Sequence, residues 1–323
     1  MANCSLIWKT FNGEISDHLM LFFVVYCYSV CFIGTLFNVA VVWCVVGCPR
    51  TRPSVKVLLC GLFSSTLLMC LSVMPFMAHV GLAKMYCDIY ISKTLTRVML
   101  TLYIVLTEME IIYITILALL RAVAVWSTKR RQVTLPAAVT LLVATAVYCV
   151  IATMLIVAPF WVERVDKYTL MLVGLIYNSA HVLAPVVVTL ACYLSMMVAV
   201  RRNKRRLAAS QHAATGGGQH EVMDQATRAM LAVFISNLLF CLPHSAYHML
   251  PQDFGVTSYV TVHCVFYTHL FVDPLAYLCS NVHHRRRVLQ TLASCTRWAA
   301  FRHPTASTLP LNVTPPASDE ARK

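Results

Sequence analysis

Thr94–Val125 reads TLTRVMLTLYIVLTEMEIIYITILALLRAVAV, and the rest of the chain can be read outward from it. As an α-helix it spans about 48 Å at 1.5 Å per residue, enough to cross a bilayer with tilt. Two carboxylates, Glu108 and Glu110, fall near its middle, and Arg121 near one end. Ionisable side chains in lipid cost at least a few kcal/mol each, so these must face protein or water. The expectation is a helix enclosed by others, the centre of a bundle.

Composition agrees. Of 323 residues, 59% are hydrophobic and only 12% are charged, with a mean hydropathy of +0.70. A chain this apolar is a polytopic membrane protein, not a soluble domain. The net charge of +13 would suggest nucleic acid in a soluble protein, but the bases cluster between apolar spans, so nucleic acid is excluded as a partner. Most of the 14 cysteines lie inside apolar runs, where they act as small buried side chains. No CxxC pair occurs, and a zinc site has no support from that pattern. The N-terminus carries no removable signal peptide pattern.

Seven spans are expected: about Met20–Val46, Val55–Val80 interrupted by Pro75, Thr94–Val125, Leu135–Trp161, Leu170–Val200 with Pro185, Thr227–Leu250 with Pro243, and Tyr259–Ser280 with Pro274. Residues 1–19 form an outer leader holding the glycosylation triplet at Asn3, and 20–280 the bundle. Residues 281–298 form an amphipathic surface helix and 299–323 a disordered tail. Arg201, Arg202, Lys204, Arg205 and Arg206 open a polar loop through Gly216-Gly217-Gly218. Basic clusters follow spans one, three, five and seven, whereas the opposite loops are acidic, which puts the N-terminus outside and the C-terminus inside.

Certain residues carry a family resemblance. Asn38, Arg121, Pro185 followed by Tyr193, Pro243 in FCLPH, and Asp273-Pro274-Leu275-Ala276-Tyr277 together resemble the rhodopsin-like (class A) G-protein-coupled receptors. The resemblance implies an all-α membrane protein, a seven-transmembrane helix bundle with a short amphipathic eighth helix. It also implies a plasma-membrane location and a heterotrimeric G protein as partner. Departures are many. Leu120-Arg121-Ala122 replaces Asp-Arg-Tyr, Cys241 stands for the sixth-span tryptophan, and Ser65 or Thr66 for the second-span aspartate. Such divergence also looks like receptors captured by large DNA viruses. The short loop after span four has no cysteine, so Cys4 and Cys87 either pair with each other or stay free.

By position in that family, Arg121, Tyr193, Tyr277, Pro243 and Cys241 form the activation switch. Glu110 falls where the family has a serine of its sodium pocket. The implied polar core is therefore Asn38, Ser65, Thr66, Glu110 and Asp273, with the two acids close enough to share a proton, water or Na⁺. No other cofactor is expected. The implied ligand pocket holds Tyr103, Thr107, Tyr177, His181, His244, His248, His263 and Tyr267, four imidazoles suited to an acidic extracellular ligand or to pH sensing. Cys295 on the eighth helix is a palmitoylation candidate, and the basic segments suit membrane lipids.

Two readings of function follow. One is a receptor with an atypical activation core and ligand-independent output through a G protein. The other is a receptor-shaped protein acting by sequestration, homo- or hetero-dimerisation or internalisation. A transporter ranks below both, because no internal repeat of broken spans appears. No nucleophile–base constellation suggests an enzyme, and span seven has no lysine for a retinal Schiff base.

Overall fold

Prolines and polar side chains, more than the apolar positions, set the shape of each span. The computed structural model describes residues 16–49, 51–86, 91–126, 133–161, 166–209, 217–249 and 255–302. Every described element is helical. Seven helices are long and apolar enough to cross a membrane, and the chain is an all-α bundle.

Span one is Asp17–Val46, span three Lys93–Trp126 and span four Leu135–Trp161. Span two runs Pro53–Leu68, takes a single π turn at Met69–Val73, and continues as Met74–Tyr86. Span five does the same, with Lys167–Asn178, a π turn at Ser179–Leu183, then Ala184–Ala209. Both π turns end just before a proline, Pro75 or Pro185. Proline has no N–H and its ring crowds the carbonyl four residues back, and the wider turn relieves that crowding without ending the helix.

Span seven is two helices, Val256–Tyr267 and His269–Ser280. At the joint, Thr268 N donates to Val265 O at 3.2 Å, which leaves the Cys264 carbonyl without its usual helical donor. Two hydroxyls replace it: Thr268 Oγ1 donates to Cys264 O at 3.0 Å and Tyr26 of span one at 2.9 Å, the two oxygens 2.7 Å apart. One turn on, Pro274 deprives the Leu270 carbonyl in the same way. Asn38 Nδ2 fills that gap at 2.9 Å and also donates to Gly34 O at 2.8 Å. Span one therefore completes the broken backbone of span seven twice. Gly34 lies in this contact: a Cβ there would stand 3.4 Å from the Leu270 carbonyl of span seven and 2.5 Å from Cys70 Sγ of span two.

Span three packs against spans two, four, five and six, the central position expected of it. Two apolar cores stack along the bundle. The one at the end of the bundle that holds Met20 and Val260, termed outer by the orientation expected from the charges, includes Val30, Leu106 and Leu270, and the other, termed inner, Val41, Tyr113 and Tyr277. Asn38, Glu110 and Asp273 fall between these pairs in sequence, so a polar layer separates the cores.

Several boundaries differ from expectation. The basic segment 201–206 is the end of span five, which stays helical to Ala209, because Arg, Lys, Leu and Ala are good helix formers. Span six is Gly217–Met249. Gly217 and Gly218 thus open a helix, and the following QHEVMDQATRAML holds no breaker. The surface helix is Val282–Arg302, running past the expected end at 298. Asp166 caps span five, accepting from Thr169 N at 2.8 Å and Thr169 Oγ1 at 2.7 Å. Those two donors hold its carboxyl below the ordinary range.

The surface helix docks through its first turns. Asn281 Oδ1 accepts from the amides of His283 and His284 at 3.2 and 3.3 Å, and Arg287 lies over the Trp43 ring at 4.3 Å. His284 is buried against Tyr277, ring centroids 5.4 Å apart, and neither of its ring nitrogens has a hydrogen-bond partner. Burial, then the nearby His283 and Arg287, pulls its pKa down from 6.5 to about 4. Between those values the undocked imidazole takes a proton and the docked one does not. Docking strength is therefore complete above about pH 6.5 and is lost as pH falls toward 4. By pH 5 the loss should be on the order of 1 kcal/mol. The protection factors of the 282–290 amides at pH 7 and pH 5, each rate taken relative to the intrinsic exchange rate at that pH, check this; unchanged protection, or an equal loss of protection in His284→Leu, contradicts it.

Candidate functional site

The polar layer holds a cluster of four residues in which the sequence suggested only a pair of acids. Glu110 of span three, His269 and Asp273 of span seven and Asn237 of span six are all buried. Asn237 Nδ2 donates to Glu110 Oε1 at 3.0 Å and to Asp273 Oδ2 at 3.3 Å. The two acids thus share one amide. His269 Nε2 lies 3.1 Å from Glu110 Oε2, while its Nδ1 pairs with the Phe266 carbonyl. A carbonyl can only accept, so Nδ1 carries a hydrogen. One further proton must then lie between Nε2 and Glu110, on the imidazole as an ion pair or on the carboxyl.

That proton balances Glu110 and leaves Asp273. Asp273 Oδ1 is buried beside the hydroxyl of neighbouring Ser236. A buried carboxylate hydrogen-bonded only by neutral groups needs a proton or a cation.

Asn38, Ser65 and Thr66 do not join the acids by hydrogen bonds. Asn38 spends its amide on backbone carbonyls, and its Oδ1 accepts from Thr66 Oγ1 at 2.5 Å. Ser65 Oγ donates to Leu62 O at 2.7 Å. The reason is the proline in span seven, whose orphaned carbonyl claims Asn38.

Glu108 builds a second polar cluster, facing spans four and five. Its Oε1 pairs with His181 Nδ1. Its Oε2 accepts from Tyr177 OH at 3.0 Å and from Thr153 Oγ1 at 3.2 Å. Tyr177 and His181 stack at 4.4 Å, and the Tyr148 ring lies parallel to His181 at 5.6 Å with its hydroxyl 3.4 Å from His181 Nε2. Tyr177 and His181 were expected beside the other histidines and are not. The π turn at Ser179–Leu183 adds a residue to one turn of span five, changing which face His181 presents.

The other three histidines meet near the outer ends of spans six and seven. His248 Nε2 lies 3.2 Å from His244 Nε2, and His263 Nδ1 is 2.8 Å from the Tyr259 carbonyl. Tyr103 OH contacts His244 Nε2 at 3.1 Å. Tyr103 also packs edge-on against Phe266 and Tyr267, at 6.0 and 6.4 Å, and His244 stacks on Phe266 at 4.2 Å. These rings pack against one another where the ligand pocket was expected. Thr107 turns its hydroxyl to Tyr103 O at 2.8 Å.

At the inner end, Arg121 lies within electrostatic reach of Tyr193 and Tyr277, and among the described residues no carboxylate pairs with it. Leu120, in the place of an acid, packs on the inner core. Tyr193 stacks on Phe234 at 5.2 Å, its hydroxyl buried and unpartnered. Cys241 is buried in the outer core one turn from Asn237, and Pro243 lies within the span-six helix. Asn3, Cys4 and Cys87 lie outside the described residues, while Cys295 is on the surface helix.

His269, Asn237, Ser236, Thr153 and Tyr148 were not singled out from the sequence. A signal existed for one of them: His269 precedes Asp273 by four residues and so shares its helix face.

No protein-family model matches this sequence, and no curated protein matches it. Its three-dimensional form is similar to a solved structure, the crystal structure of squid rhodopsin. The TM-score is 0.76 over 89% of each chain, at 13% sequence identity. With so little identity the likeness is one of fold, and the chain has the seven-helix fold of squid rhodopsin.

Proposed function

We propose that this chain is a divergent rhodopsin-like G-protein-coupled receptor with ligand-independent output. The observation that carries the reading is Arg121. It lies at the inner end of the central span, beside Tyr193 and Tyr277, and no described carboxylate restrains it. A cation with no ion-pair partner to break is free to meet a heterotrimeric G protein. The outer cluster of rings supports the same reading, because Tyr103, His244, Phe266 and Tyr267 pack against one another where the ligand pocket was expected. In this reading the N-terminus is extracellular, the C-terminus cytoplasmic, and the protein resides in the plasma membrane. Asp273 takes a proton or Na⁺, the basic surface helix rests on anionic lipid, and Cys295 is the candidate for acylation.

The test is second-messenger output of the full chain in transfected cells without added ligand. Wild type should exceed mock-transfected cells, and Arg121→Ala should lower the excess several-fold at equal surface expression. Output equal to mock cells would instead favour the second reading, sequestration, dimerisation or internalisation without G-protein signalling. The buried Cys241 in place of the switch tryptophan is the observation on that side.

A further inference from the structure

We propose that His244, His248 and His263 form a binding site for a borderline transition-metal ion of the Zn²⁺ class, bridging spans six and seven at their outer ends. His244 and His248 stand four residues apart on one helix, so both project from the same face. His263 meets them from span seven. One ring nitrogen of each lies within 4.8 Å of the other two.

Metal geometry fits these separations. Nitrogens bound to a tetrahedral Zn²⁺ at about 2.0–2.1 Å stand roughly 3.3 Å apart. His244 Nε2 and His248 Nε2 are already 3.2 Å apart. The third nitrogen needs to close by at most about 1.5 Å from the 4.8 Å limit, which a small ring tilt supplies. The rings do not stack. Their planes meet at 68°, 88° and 87°, so lone pairs can converge on one point.

The surroundings also favour a metal. His263 Nδ1 donates to the Tyr259 carbonyl at 2.8 Å, which fixes the hydrogen on Nδ1 and leaves Nε2 as a free lone pair. Backbone anchoring of the outer ring nitrogen is a recurrent feature of metal-bound histidine. His263 is buried while His244 and His248 remain partly open, so a fourth position is left for water. Tyr103 OH, 3.1 Å from His244 Nε2, can hydrogen-bond that water. Three imidazoles and no carboxylate make a poor site for Mg²⁺ or Ca²⁺, which require oxygen ligands, and a good one for Zn²⁺, Ni²⁺ or Cu²⁺. The inference does not depend on G-protein coupling, and it gives this cluster of rings an occupant smaller than an organic ligand.

The experiment uses the full chain in detergent or nanodiscs, first stripped with a chelator. Zn²⁺ binding is followed by calorimetry and by the thermal unfolding midpoint. Co²⁺ serves as a second probe, because its visible absorption reports tetrahedral nitrogen ligation. Saturable Zn²⁺ binding that raises the midpoint is expected, with Mg²⁺ silent. His248→Ala and His263→Ala should each weaken binding tenfold or more; His79→Ala, on exposed span-two surface, should leave it unchanged. His263 is buried, so His263→Gln replaces the alanine variant if the latter does not fold. Absence of saturable binding, or binding that survives both the His248 and His263 variants, would place no metal here and overturn the proposal.

Discussion

His269→Leu should be among the most damaging single substitutions in the membrane core, lowering stability by about 3–5 kcal/mol. Among the described residues the imidazole is the cationic-capable group beside these buried carboxylates, its Nε2 3.1 Å from Glu110 and its charge felt by Asp273. Leucine removes the proton carrier and leaves Glu110 with one amide hydrogen bond from Asn237. Removing one partner of a buried pair costs more than the pair contributes, because the remaining charge is left uncompensated. The remedy is therefore predictable. Adding Glu110→Gln to His269→Leu should recover much of the loss, and the double-mutant cycle should be strongly non-additive. Asp273→Asn should couple to both changes, since Asn237 ties the two acids together. Thermal unfolding of the purified variants measures all of these. Additive effects, or a His269→Leu loss under about 1 kcal/mol, would show that the imidazole is packing and not a counter-ion.

Glu108→Leu comes next, at about 2–3 kcal/mol, the sum of a few interhelical hydrogen bonds that are individually modest in membranes. One carboxylate accepts from Thr153 of span four and from Tyr177 and His181 of span five. Leucine fills the volume but leaves two hydroxyls and an imidazole in apolar surroundings. Glutamine should cost less than leucine. Its carbonyl can still accept from the two hydroxyls, and its amide can donate to His181 Nδ1 in the neutral tautomer. Spans four and five should loosen together, visible as faster hydrogen exchange in both and no change in span one. A Glu108→Leu variant as stable as wild type would show that this cluster contributes nothing net to the bundle.

Legibility divided along a physical line. Apolar length and charge placement are local properties, so seven crossings and a central third span could be read directly from Thr94–Val125 and its counterparts. The prolines were equally visible, as was the acid carried by span three. A bilayer imposes helix on any long apolar stretch, and no tertiary information is needed for that step.

Rotation about each helix axis is not local. Whether Pro75 and Pro185 would break, kink or widen their spans depended on neighbours, and the π turns chosen moved His181 away from the other histidines to Glu108. Asn38 was expected beside the acids, but the carbonyl freed by Pro274 claimed its amide, an outcome fixed only when spans one and seven meet. His269 was in plain view four residues before Asp273, yet its role needed Glu110 to arrive from another helix. The amino-acid sequence by itself determined what had to be buried in this protein. Only packing decided which buried groups would find each other, because the partner of a polar side chain on one helix is set by the phase of the next.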